Sequence, residues 1–198
     1  MTRDITPDIT TDTTSGTSAG TSPRVVLVGP MGAGKTTVAG LLGDRWGVSV
    51  RDTDHDIEAG AGKPISEIFV DDGEEHFRAL EQEAVRDALT AHTGVLALGG
   101  GSVLDLRTRD ALAGQRVCFL HVGLTDAVQR VGLGVGRPLL LGNIRSRVKN
   151  LLDERLPVYE EVATFTVETD GRSIADVADE VARVVESAER PAGAGGRA

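Results

Sequence analysis

The chain has 198 residues, 40% of them hydrophobic and 26% charged, a composition typical of a globular protein with a core of its own. Its net charge of −9 argues against a general nucleic-acid-binding protein, which would present a basic face. The single cysteine, Cys118, excludes an internal disulfide. The sequence has no apolar stretch of transmembrane length and no signal-peptide pattern, so we expect a cytoplasmic protein with no membrane partner.

The two ends of the chain differ in composition from its middle. Residues 1–23 are rich in Thr, Ser and Asp, and residues 190–198 are rich in Gly and Ala. Neither segment has enough apolar surface to offset the entropy lost on ordering, so we predict a disordered tail at each end. The folded part is then a single domain over residues 24–189.

Strands and helices alternate along the predicted domain. Strands are predicted at residues 25–28, 48–50 (running on to Asp52), 95–98, 117–122 and 163–168. Helices are predicted at residues 36–46, 74–92, 143–162 and 173–188. This alternation is typical of an α/β fold, in which ligands bind at the carboxyl ends of parallel strands. Three loops should therefore meet at one edge of the sheet, at residues 29–36, 52–54 and 99–101.

The loop at residues 29–36 reads Gly-Pro-Met-Gly-Ala-Gly-Lys-Thr and matches the phosphate-binding pattern G-x-x-x-x-G-K-S/T. Its glycines let backbone N–H groups turn inward onto phosphate oxygens. Lys35 can reach the β- and γ-phosphates, and the Thr36 hydroxyl can bind Mg²⁺. A glycine-rich turn without a ligand is the alternative, and the flanking strand and helix disfavour it.

Two carboxylates follow the second predicted strand, at Asp52 and Asp54. One could hold Mg²⁺ through water, and the other could accept a proton from an attacking hydroxyl. An acidic helix cap explains at least one of them equally well. The neighbouring phosphate loop favours the functional interpretation.

Three consecutive glycines, Gly99 to Gly101, follow the third predicted strand. They permit unusual dihedral angles and a close approach of the backbone to a bound group. A tight turn is the alternative, but a turn needs only one glycine. We therefore favour contact with a substrate.

Arg78, Arg137 and Arg155 are candidates for binding anionic groups, because a guanidinium binds carboxylate or phosphate through two parallel hydrogen bonds. For any one of them a solvated salt bridge is the commoner explanation. Arg137 follows the glycine-rich run from Gly132 to Gly136, which we expect to be too flexible for a helix interior. We predict a mobile lid there, with Arg137 at its tip.

Taken together in chain order, these motifs resemble the shikimate kinase family over residues 24–189. The resemblance also includes Phe77-Arg78, Arg137-Pro138-Leu139-Leu140 and Arg155-x-Pro157-x-Tyr159. The resemblance implies a P-loop NTPase-type three-layer α/β fold, with a five-stranded parallel sheet of order 2-3-1-4-5 and a lid at about residues 131–142. It also implies ATP-dependent phosphorylation of the 3-hydroxyl of shikimate, with Mg²⁺ as cofactor. Members of the family are usually monomeric.

The resemblance assigns roles residue by residue. It implies catalysis by Lys35, Asp54 and Arg137, and Mg²⁺ binding by Thr36 directly and by Asp52 through water. ATP would be bound by Gly32, Ala33, Gly34, Lys35, Thr36, Thr37, Arg130 (stacked on adenine), Arg137, Arg172 and Ser173. Shikimate would be bound or enclosed by Asp54, Phe69, Phe77, Arg78, Glu81, Gly99, Gly100, Gly101, Pro138, Leu139 and Arg155.

Two other functions are compatible with a phosphate loop. One is a different small-molecule kinase, such as a gluconate kinase or a nucleoside monophosphate kinase. The pair Arg78 and Arg155 disfavours it, and the sequence shows no pocket for a second base. The other is a non-catalytic nucleotide-binding regulator, which the intact Lys35, Asp54 and Arg137 disfavour.

Overall fold

A computed structural model describes residues 22–132 and 141–190 of the chain. Most of both predicted tails, and the centre of the predicted lid with Arg137, Pro138 and Leu139, lie outside these residues. Among the described helices, none is both long enough and apolar enough to span a membrane.

The described part of the chain contains a five-stranded parallel sheet of order β2-β3-β1-β4-β5, as predicted. Its strands are β1 (Val25–Val28), β2 (Val50–Asp52), β3 (Val95–Ala97), β4 (Val117–His121) and β5 (Phe165–Glu168). The second strand begins two residues later than predicted, because the Val48 N–H bonds to Gly43 O, close to the end of the preceding helix.

Helices cover both faces of the sheet. They are α1 (Lys35–Trp46), α2 (Thr53–Ala61), α3 (Ile65–Asp71), α4 (Gly73–Ala91), α5 (Leu106–Leu112), α6 (Leu124–Gly132), α7 (Leu141–Val162) and α8 (Ile174–Glu189), with a 3₁₀ turn at Ser102–Leu104. The four predicted helices correspond to α1, α4, α7 and α8, each within two residues at either end.

The sequence did not predict α2, α3, α5 and α6, which are only seven to nine residues long. A helix of that length shows barely two turns of periodicity, so its pattern is weak. The helix α6 ends at Gly132, at the start of the predicted lid. A glycine at the end of a helix destabilises the helix less than a glycine in its interior, where more backbone entropy is lost on folding.

The central strand β1 is buried on both faces, and this fixes the phosphate loop that follows it. Val25 and Leu27 pack in one cluster with residues of α1 and α8, whereas Val26 and Val28 pack with residues of α4, α5 and α7. Cys118 is a buried thiol in the first cluster, as predicted. The carboxyl end of β1 is therefore held between two packed layers, with the loop at its tip.

The connection before β3 yields a test of the packing. A Cβ atom at Gly94 would lie 1.9 Å from the backbone oxygen of Ser49, whereas one at Gly60, in α2, would meet nothing within 4 Å. We expect Gly94→Ala to lower the free energy of unfolding by about 2 kcal/mol or more, because backbone must move. Gly60→Ala should raise it by about 0.5–1 kcal/mol.

Urea denaturation of both variants, each compared with the unchanged chain, measures these free energies. Equal stability of the two variants would contradict the close approach of the strands at Gly94.

Candidate active site

The phosphate loop joins β1 to α1 in the conformation that the motif requires. Gly29, Gly32 and Gly34 have φ values of 147°, 84° and 89°, a region that L-residues with a side chain rarely adopt. A Cβ at Gly29 would also lie 2.6 Å from the carbonyl oxygen of Leu120. Because α1 begins at Lys35, its positive N-terminal end lies at the loop, where an anion is stabilised.

The Lys35 side chain folds back over this loop. Its ammonium donates to the carbonyl oxygens of Gly29 and Pro30, at 2.8 Å and 3.1 Å. Burial lowers the pKa of Lys35 to about 8, although Asp54 and Asp52 act in the opposite direction. Backbone carbonyls only partly compensate a cation that is withdrawn from water, so the position favours an anionic ligand.

Asp52 caps a helix, which was one of the two alternatives from the sequence, and it also bonds to the phosphate loop. One of its oxygens accepts from the Asp54 N–H at 3.0 Å and caps α2, and the other accepts from the Thr36 hydroxyl at 2.7 Å. Because capping uses Asp52, the carboxylate of Asp54 is left to face the cavity. Burial, followed by the charge of Asp52, raises the pKa of Asp54.

The glycine turn (Gly99–Gly101) brings the neighbouring helices close to the end of β3. A Cβ at Gly99 would lie 2.4 Å from a carboxylate oxygen of Asp54 and 2.9 Å from one of Glu81, and a Cβ at Gly101 would lie 2.5 Å from Nη1 of Arg78. None of the three glycines has a positive φ. The expected unusual dihedral angles are therefore absent, and close approach is the reason for glycine at positions 99 and 101.

Arg78 is held in place by two carboxylates of its own helix. Its Nη1 lies 2.6 Å from Glu81, which is only 4% exposed, and its Nη2 lies 3.2 Å from Glu74. Burial raises the pKa of Glu81, an effect that the contact with Arg78 opposes. The Arg78 guanidinium also lies 5.3 Å from the ring centre of Phe77, which packs against Phe69 at 4.5 Å. The guanidinium therefore has a fixed position beside an aromatic wall.

Arg155 enters the site from α7. Its Nη1 donates to Gly100 O at 3.3 Å, and its Nε is buried without a hydrogen-bond partner in the described part of the chain. A buried unpaired donor is costly, so this guanidinium is suited to an anionic ligand.

These groups line one cavity of about 570 Å³. The predicted residues that it brings together are Gly32, Gly34, Lys35, Thr36, Thr37, Asp52, Asp54, Phe69, Phe77, Arg78, Glu81, Gly100, Gly101 and Arg155. Ala33 and Gly99 are buried behind this lining. Three apolar lining residues were not predicted from the sequence: Met31, Ile65 and Leu98. Met31 and Leu98 lie in or next to predicted motifs, so the sequence could have indicated them. Ile65 belongs to α3, which was not predicted, so no signal in the sequence indicated it.

Of the three residues predicted to lie at the adenine, one contacts the phosphate loop. Arg130 donates to Gly32 O at 3.2 Å and to Thr169 O at 2.9 Å, so it bridges the phosphate loop and the end of β5. Arg172 bonds to Glu180 at 2.6 Å, and Ser173 caps α8 through the Asp176 N–H. Only Arg130 contacts the phosphate loop, and adenine binding by these residues stays a prediction.

Comparison with known proteins agrees with this arrangement. A family model described as shikimate kinase matches residues 31–186. A shikimate kinase of Salinispora arenicola is 60% identical over 83% of this chain and 98% of its own length, and one of Thermobifida fusca is 54% identical over 84% and 96%. The structure of an Acinetobacter baumannii shikimate kinase in complex with shikimate has a TM-score of 0.78 at 35% identity, over 85% of this chain and 94% of that one. The chain belongs to the shikimate kinase family.

Proposed function

We propose that this chain transfers the γ-phosphoryl group of ATP to the 3-hydroxyl of shikimate, giving shikimate 3-phosphate and ADP. The observation that carries the proposal is that a phosphate loop and a wall bearing two arginines face one cavity. Shikimate has one carboxylate and three hydroxyls. Two guanidinium groups, a carboxylate and backbone donors are the groups that such a molecule needs.

The end of the cavity at the phosphate loop is suited to bind an anion. The N-terminus of α1 and the loop N–H groups stabilise negative charge there, and Lys35 is already folded over the loop. When ATP binds, the Lys35 ammonium can exchange its two backbone carbonyls for phosphate oxygens. A cation held in place before the reaction stabilises charge on the transferring group without reorganisation.

The end of the cavity that carries the two arginines is suited to bind a carboxylate on a small ring. Glu81 and Glu74 fix the guanidinium of Arg78, and Arg155 offers a buried Nε with no partner in the described part of the chain. A carboxylate between the two arginines would satisfy that donor. Phe69 and Phe77 supply an apolar surface for the ring.

Asp54 is suited to accept the proton that the acceptor hydroxyl loses. Burial and Asp52 raise the pKa of Asp54, which makes it a stronger base than an exposed carboxylate. As the hydroxyl oxygen bonds to phosphorus, the bond to the ADP oxygen breaks and the proton passes to Asp54. The charge of Lys35 acts in the opposite direction and lowers the pKa of Asp54.

Thr36 and Asp52 fit a magnesium ion. They offer a hydroxyl and a carboxylate oxygen 2.7 Å apart, the oxygen ligands that Mg²⁺ prefers. Few protein ligands are expected, because Mg²⁺ keeps several waters and binds the nucleotide's phosphates. When bound, the ion would neutralise charge on the β- and γ-phosphates. The monomeric state and the cytoplasmic location stay predictions from the sequence.

The choice of acceptor tests the proposed function directly. In a coupled assay of ADP release with ATP and Mg²⁺, shikimate should give the highest kcat/KM among shikimate, quinate, gluconate and AMP. A preference for gluconate or AMP would indicate one of the other kinases that the sequence left open. ADP release that is equal with and without every acceptor would indicate that the chain does not transfer phosphate to any of them.

The two arginines allow a second test. Arg78→Lys or Arg155→Lys should raise KM for shikimate by about tenfold or more, because lysine cannot present two parallel donors to a carboxylate. The KM for ATP should change much less. Arg86→Lys is the matched control, since Arg86 lies on the same helix as Arg78 but is exposed and, among the described residues, forms ion pairs with Glu83 and Asp87 alone.

Steady-state kinetics with each substrate varied in turn measure both constants. An equal loss for both substrates, or a loss for ATP alone, would remove these arginines from the acceptor site.

A further inference from the structure

The two carbonyl groups inside the glycine turn are both held by side-chain hydroxyls. Gly99 O accepts from the Ser102 hydroxyl at 2.6 Å and from the Ser102 N–H at 3.1 Å. Gly100 O accepts from the Tyr159 hydroxyl and, at the longer distance of 3.3 Å, from Arg155. Each peptide plane of the turn is therefore fixed through its oxygen.

Fixing a carbonyl also fixes the N–H of the next residue. The described peptide bonds are all trans, and in a trans peptide the C=O and the following N–H point in opposite directions. Ser102 therefore sets the direction of the Gly100 N–H, and Tyr159 sets the direction of the Gly101 N–H.

Those N–H groups point away from the buried hydroxyls. Ser102 and Tyr159 are each 1% exposed and lie behind the turn, whereas Gly100 and Gly101 line the cavity. Within residues 22–132 and 141–190, no protein group accepts a hydrogen bond from either glycine N–H. The turn thus presents two oriented donors on its cavity side.

We propose that Ser102 and Tyr159 are positioning residues that aim the N–H groups of Gly100 and Gly101 at oxygen atoms of the acceptor. This inference rests on the proposed function and extends it to two residues outside the cavity lining. The Arg78 guanidinium lies where a side chain at Gly101 would be, so this guanidinium and the Gly101 N–H are close to each other. An acceptor carboxylate bound by Arg78 would therefore lie within reach of the Gly101 N–H.

Tyr159 contributes more than Ser102. Its ring is fixed by stacking on Phe119 at 5.0 Å, and its hydroxyl has less support from other donors. Without the hydroxyl, Arg155 would be the remaining donor to Gly100 O. That carbonyl would then draw the guanidinium away from the cavity, whereas the Ser102 N–H would still hold Gly99 O.

Kinetics of the variants that lack one hydroxyl test the proposal. Tyr159→Phe should raise KM for shikimate by about tenfold and Ser102→Ala by about fivefold, with KM for ATP within about twofold of the unchanged chain. Thr164→Val is the control, because it also removes a hydroxyl bound to a backbone carbonyl, that of Val117 at the other end of the sheet. It should leave both constants unchanged.

Amide NMR separates the two peptide planes. On addition of shikimate to the ¹⁵N-labelled chain, the amide resonances of Gly100 and Gly101 should both shift. The Gly101 shift should shrink mainly in Tyr159→Phe, and the Gly100 shift mainly in Ser102→Ala.

The outcomes that would overturn the inference are distinct. Unchanged KM for shikimate in both variants, or equal losses for shikimate and ATP, would contradict a positioning role while leaving the proposed function intact. Equal loss of both amide shifts in each variant would contradict the assignment of one hydroxyl to each plane. If the unchanged chain did not phosphorylate shikimate, the proposed function would fail and the inference with it.

Discussion

The candidate site depends on the close approach between the end of β3 and the helices around it. At Gly99 the neighbouring carboxylates of Asp54 and Glu81 occupy the space of a missing side chain, and at Gly101 the guanidinium of Arg78 does the same. A side chain at either position would push these groups away from the cavity. The glycine turn therefore lets charged groups from α2 and α4 meet at the end of one strand.

The sheet order then places this turn beside the phosphate loop. The strands β1 and β3 are neighbours, so the loops at their carboxyl ends lie side by side, and β2 brings Asp52 and Asp54 to the same edge. The charges at this edge are mutually dependent. Lys35 is a partly buried cation whose pKa is lowered by burial, and Asp54 is a carboxylate whose pKa is raised by burial. A cavity lined by such shifted groups is typical of an active site.

The sequence predicted those features that depend on local pattern. The five strands, the long helices and the loops that directly follow β1, β2 and β3 were recognisable because each has its own periodicity or motif. Short helices such as α3 were missed, and Ile65 with them, because a few residues give no reliable period. For the glycine turn, the predicted close approach is confirmed and the predicted unusual dihedral angles are not. The groups that approach the turn, Asp54, Glu81 and Arg78, can be identified only from the three-dimensional structure.

Tyr159 shows the same limit. It was part of a recognised motif, but its hydroxyl acts on Gly100, which is 59 residues away in the chain. No local pattern reports such a contact. Sequence therefore indicates which residues belong to a site more readily than how the backbone of that site is held.

Calorimetric titration of Gly101→Ala tests the central claim most directly. The φ of Gly101 is −100°, which alanine tolerates, and the clash is with the end of the Arg78 side chain rather than with backbone, so the variant should fold. We expect its affinity for shikimate to fall by about tenfold or more while its affinity for ADP stays within about twofold, because only the acceptor wall is disturbed. Unchanged shikimate affinity would contradict the claim that the missing side chain at the turn holds the acceptor site together.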